Sequence, residues 1–122
     1  MVAAMKSSAR ALAITSLLAI LVLSLVPGEF RPHTMILPPG FEHVAAYAVA
    51  AFFLGLAWHH RVPPVQVVLL LTAYGALLEL GQLWVPGRHG QLPDVGMDLI
   101  GASIGVMVAL ATVRLRSFAL PR

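Results

Sequence analysis

Glu79 to Gly101 reads ELGQLWVPGRHGQLPDVGMDLIG and joins two long apolar segments, Val65 to Val85 and Val95 to Val113. A membrane-crossing helix needs roughly 20 residues, with about 17 at the lower end, and both segments meet that length. Charged and amide side chains inside such segments are costly in lipid, so they face a bundle interior or a wet cavity. The stretch therefore predicts two membrane helices and marks a candidate functional site at their shared end.

Working outward, two further apolar stretches precede it, Ala11 to Val26 and His43 to Trp58. They are short and are expected to borrow flanking residues or to thin the bilayer locally. Pro27-Gly28, Pro38-Pro39-Gly40, Pro63-Pro64, Pro86-Gly87 and Pro93 separate the stretches. No period-two alternation argues for a barrel, so closed helices are the expected solution. The 122 residues are 59% hydrophobic and 11% charged, with mean hydropathy +0.88. A soluble domain has about 45–50% apolar and about 25% charged residues, so this is the membrane class. The expectation is an all-α, four-transmembrane-helix bundle formed by one membrane domain over residues 1–122.

Charge excludes some functions and orients the chain. The pI of about 10.2 rests on only 8 Lys+Arg, placed near hydrophobic ends, which reads as a topology signal and gives no nucleic-acid footprint. Lys6, Arg10, Arg61, Arg114, Arg116 and Arg122 fall on one side of the four spans; Arg31 and Arg88 fall on the other with all 5 acids. The positive-inside bias then places both termini in the cytoplasm. Lys6 and Arg10 ahead of an apolar run also resemble a signal peptide. Pro27-Gly28 follows Val26 where an A-x-A-like cleavage site would stand, so the run is read as a retained span. With no cysteine, thiolate catalysis, disulfides and cysteine metal sites are excluded.

This topology brings distant side chains to one depth. His43 opens the second span with Tyr47 at i+4 on the same face. Glu79 is expected ~9 Å below the end of the third span at Val85, at about 1.5 Å per residue, with Gln82 at i+3. Asp94 falls in the first turn of the fourth span, where the helix dipole favours a carboxylate, and Asp98 follows at i+4. His43, Tyr47, Glu79, Gln82, Arg88, Asp94 and Asp98 are thus expected to surround one pocket in the outer third of the bundle, with His89 joining from the loop. Gly101-x-x-x-Gly105 continues the Asp98 side of the fourth span and suits close helix packing.

The order and spacing of these pieces resemble the VanZ-like family of small membrane proteins, named for a teicoplanin-resistance accessory protein. The matching residues are His43-x-x-x-Tyr47, Glu79-x-x-Gln82, Val85-Pro86-Gly87-Arg88, Asp94, the position of Asp98, and Gly101. They lie within about Phe41 to Val108. The chain departs from the family in carrying Asp98 where Asn is frequent, and Pro39-Gly40 where an Asp-Lys pair precedes the histidine. The resemblance implies an integral protein of the bacterial plasma membrane linked to the cell envelope and to glycopeptide resistance.

The residues support a polar pocket that recognises an amphiphilic ligand, such as a lipid-linked precursor or a lipoglycopeptide. Arg88 would pair with an anionic group and the carboxylates would accept from hydroxyls or amines. Three alternatives stay open. Carboxylates near a histidine can do acid–base work, although no serine nucleophile has a recognisable context. The polar set can also be interhelical glue, or a proton relay, for which polar residues along the third span are sparse. A metal set would use His43 and His89 with the carboxylates, but no H-x-x-x-H or H-E-x-x-H spacing exists, so neither metal nor cofactor is expected. The bilayer is the expected partner, and four short helices offer so little interior that self-association is favoured.

Overall fold

The computed structural model describes residues 2–31, 36–38 and 40–120; Pro39 and Arg122, which entered the sequence reading, lie outside them. Four helices carry the fold: α1 (Val2–Leu25), α2 (Phe41–Trp58), α3 (Pro64–Gln82) and α4 (Leu92–Ala119), with a short 3-10 turn at Gly28–Phe30. Each is long and apolar enough to cross a membrane, and no strand occurs among the described residues.

The breakers set the helix ends. Pro27 stops α1, which extends back to Val2 and so makes up the length that the apolar run lacked. Gly40, at φ +90°, starts α2 from a left-handed conformation open to glycine. Pro64 occupies the first turn of α3, where a missing N–H costs nothing. The end of α3 departs from the expected Val85. The helix closes at Gln82, and Leu83, Trp84 and Val85 turn back with bonds to Leu80, Gly81 and Gln82 carbonyls. Pro86 cannot extend the helix and Gly87 takes φ +73°, so the chain tightens before the proline. Glu79 therefore sits one turn from the helix end, about 4.5 Å below it rather than ~9 Å.

Helices α2 and α4 run parallel as the closest pair; α1 packs on α2 and α3 on α4. Small residues permit that approach. A methyl at Gly101 would strike the Val44 carbonyl, and one at Gly105 the Ala48 carbonyl. Further along, a methyl at Gly55 would lie 2.7 Å from the Ala109 side chain. In lipid, where no hydrophobic force drives helices together, this backbone contact supplies the dispersion energy. Gly105→Val is expected to cost about 1–3 kcal/mol by overpacking. Gly96, with no atom within 4 Å of an added methyl, should tolerate alanine or gain slightly in helix propensity. Thermal melts of both variants in one detergent check the contrast.

Large apolar side chains such as Leu18, Val22, Leu69, Leu77, Met107 and Leu115 point outward, as lipid contact requires. Lys6, Arg10, Arg61, Arg114 and Arg116 gather at the end of the bundle where α1 and α3 start, away from Arg31 and Arg88. There Arg10 lies 5.7 Å from the centroid of the Trp58 ring and the Arg116 guanidinium is 3.6 Å from Met5 Sδ. The opposite end holds every described acid and the candidate site.

Candidate functional site

The largest side chain below 2% exposure among the described residues is a carboxylate, Asp98. It sits one turn below Asp94 on α4 and aims at His43 in the first turn of α2. Asp98 Oδ1 lies 2.8 Å from His43 Nδ1. On the other edge of the ring, His43 Nε2 is 3.6 Å from Asp94 Oδ2 and 4.0 Å from Glu79 Oε1 on α3. Three helices thus converge on one imidazole. Glu79 is held in turn by the Gln91 backbone N–H, which donates to its Oε2 at 2.8 Å. That bond ties the last turn of α3 to the start of α4 and fixes where the carboxylate points.

Asp98 Oδ2 has no hydrogen-bond partner among the described residues although it is buried. It occupies space that only glycine leaves open: a methyl at Gly75 of α3 would overlap it and lie 3.0 Å from the Tyr47 hydroxyl. Tyr47 is 3% exposed and its ring lies nearly parallel to that of His43, at 7° and 6.5 Å between centroids. The sequence-predicted residues His43, Tyr47, Glu79, Asp94 and Asp98 are therefore brought together.

Gln82 and Arg88 face elsewhere. Gln82 Nε2 donates to the Ser24 carbonyl at 3.1 Å, Arg88 Nε donates to Val26 O at 2.8 Å, and Arg88 Nη2 donates to Leu23 O. Tyr74 adds a bond from its hydroxyl to Leu17 O at 2.7 Å. The last carbonyls of a helix have no partner of their own, and those of α1 run straight into Pro27, which has no N–H to offer. A cation at this end also suits the helix dipole. Burial, together with the positive charge of Arg31, pushes the Arg88 guanidinium below its ordinary pKa, while Glu79 opposes that shift. Its donors are thus engaged by α1 carbonyls, while its side chain also lines the cavities beside the cluster.

Two adjoining cavities open beside the cluster, sharing Arg31, Glu42, His43, Gln82 and Arg88. One, about 240 Å³, has a wall of Ile20, Leu23 and Ala46 and reaches Tyr47. The other, about 360 Å³, spreads over Gly40, Gly87, His89, Gln91 and Asp94. Glu79 and Asp98 line neither and stand behind His43. His89 faces the second cavity and lies outside the carboxylate cluster. Sequence reading missed Arg31 and Glu42, whose side chains pair at 3.2 Å across the mouth. The signal was present: both lie beside the Pro-rich loop that returns the chain to the site.

The family model described as VanZ/LLP1 matches residues 3–114, wider than the Phe41 to Val108 of the resemblance and taking in most of α1. Neither the curated proteins nor the solved structures yield a match. The wider match agrees with the geometry, since α1 supplies both the apolar cavity wall and the carbonyls that Gln82 and Arg88 hold.

Proposed function

The chain belongs to the VanZ/LLP1 family, and from that premise we propose that it binds an amphiphilic envelope molecule. The ligand is a lipid-linked precursor or a lipoglycopeptide, taken at the extracytoplasmic end of a bacterial plasma-membrane protein with both termini inside. Binding of this kind would contribute to glycopeptide resistance or envelope assembly. One observation carries the reading: the 240 Å³ cavity sets the apolar wall of Ile20, Leu23 and Ala46 against the polar wall of Arg31, Glu42 and His43. Such a mixed lining suits a molecule with a tail and a headgroup. Orientation draws support from the basic end described above.

Within this reading Arg31 takes over the role of anion anchor. Its pair with Glu42 has side-chain exposures of 37% and 32%, and exposed pairs hold by only ~0–1 kcal/mol, so a phosphate or carboxylate can compete for the guanidinium. For Gln82 and Arg88, the bonds to α1 favour the glue reading instead.

Native mass spectrometry of the full-length protein tests the proposal, with wild type compared with Ala46→Trp, which fills the cavity. A headgroup-bearing amphiphile should travel with wild type, and its retention should fall about tenfold in the variant, equivalent to ~1.4 kcal/mol. Equal retention by both, or bulk phospholipid alone, overturns it. Susceptibility to teicoplanin of cells expressing each form should follow the same order.

A further inference from the structure

We propose that His43 Nε2, a Glu79 carboxylate oxygen and an Asp94 carboxylate oxygen form a site for a divalent transition-metal ion, with Asp98 as the residue that orients the histidine. The proposal goes beyond ligand recognition and stands without it. The three donor atoms come from three helices and lie within 4.8 Å of one another. Around a tetrahedral ion with bonds of about 2.0–2.2 Å, donors stand ~3.4 Å apart. The separations of 3.6 and 4.0 Å from His43 Nε2 need only a small inward movement of two carboxylates.

The orientation of the ring supports the assignment. Nδ1 is taken up by the 2.8 Å contact with Asp98 Oδ1, so Nε2 is the ring atom that faces Asp94 and Glu79. A cation placed between Nε2 and those two carboxylates would join all three donors. A carboxylate behind a ligating imidazole is the usual means of fixing its ring and raising its basicity.

Charge points the same way independently. Glu79, Asp94 and Asp98 bring three carboxylates to one imidazole. The arginines nearby are engaged, Arg88 on the carbonyls of α1 and Arg31 with Glu42. Asp98 is fully buried and reaches His43 Nδ1 through Oδ1, behind the ring. Three carboxylates gathered on one imidazole repel one another, and a dication would offset that repulsion. One nitrogen and two carboxylate oxygens suit zinc or manganese and disfavour copper(I), which selects sulfur. Three protein donors leave a position open on the side of the cavity that His43 and Asp94 line, for water or an anionic oxygen of a bound molecule. The spacing rule of the sequence reading missed this set because no two of its ligands share a helix.

The test uses full-length protein in detergent, stripped with EDTA, desalted, and titrated calorimetrically with zinc and then with manganese in the absence of any amphiphile. Close to one ion per chain is expected for at least one of the two metals. X-ray absorption of the loaded protein should show nitrogen and oxygen donors and no sulfur. Asp94→Asn, at the half-exposed rim, and His43→Gln should each weaken binding tenfold or more, and Asp98→Asn about 10–100-fold. His60→Ala, at the opposite end, should leave affinity unchanged. Absence of stoichiometric binding, or binding that survives both Asp94→Asn and His43→Gln in melt-competent protein, overturns the site. Loss of binding on His60→Ala alone does so as well. Retention of an amphiphile by protein that takes no metal would overturn this site while sparing the ligand reading.

Discussion

Arg88→Met is expected to remove about 2–4 kcal/mol of stability, because it strips a buried, charge-assisted cap from the end of α1. Arg88 is 9% exposed and reaches two carbonyls, at Val26 and Leu23, that no backbone N–H serves. Methionine keeps much of the side-chain volume, so the loss isolates the guanidinium from its packing. Arg88→Lys should recover less than half of it, since a single ammonium cannot span both carbonyls with the fork geometry of arginine. Membrane abundance and detergent melting temperature are the readouts. Gln82→Leu should act in the same direction but less strongly, having one neutral bond to Ser24 O at 3.1 Å to lose. If Arg88→Met kept wild-type abundance and melting, the capping role would be wrong and the anion-anchor role would regain its standing.

That outcome also explains what a sequence can and cannot disclose in this chain. The spans were legible because burial in lipid demands long apolar runs, and the prolines mark their limits within a few residues. Convergence of His43, Glu79, Asp94 and Asp98 was legible because i+4 spacing on α4 and alternating helix direction fix their depth. The partners of Arg88 were not legible, since they are backbone carbonyls some sixty positions earlier, which carry no side-chain signature. A readable cue existed in Pro27: a helix that ends on proline leaves carbonyls needing donors from elsewhere. The end of α3 was misread because hydrophobicity continues through Leu83, Trp84 and Val85, whereas Pro86 and Gly87 bend the chain before them. Tight packing of Gly75 on Asp98 was invisible, because glycine is common in membrane helices and nothing local says which one faces a carboxylate.

That contact gives the sharpest prediction. Gly75→Ala should destabilise the protein by about 2–5 kcal/mol, from overpacking and from displacing Asp98 from His43. The added methyl would overlap Asp98 Oδ2 and press on the Tyr47 hydroxyl. Neither atom belongs to a flexible tail: Asp98 is pinned at 2.8 Å to the His43 ring, and Tyr47 is packed among buried side chains. Asp98→Ala should be milder, about 1–3 kcal/mol, because it frees the His43 donor but also relieves a buried oxygen that lacks a partner. Combined, the two changes should be less harmful than Gly75→Ala alone, since the methyl then enters space vacated by the carboxylate. A favourable coupling of ~2 kcal/mol in the double-mutant cycle, read from denaturation in a single detergent, is the expected result. Additive losses would mean that α3 approaches α4 at some other point. Retained stability in Gly75→Ala alone would mean that Asp98 is not where the packing of α3 requires it. The cycle separates position from chemistry, because it asks only whether two atoms compete for one volume. Metal affinity should fall about 10–100-fold in both single variants and should stay reduced in the double, since repacking restores the volume but not the carboxylate that orients His43.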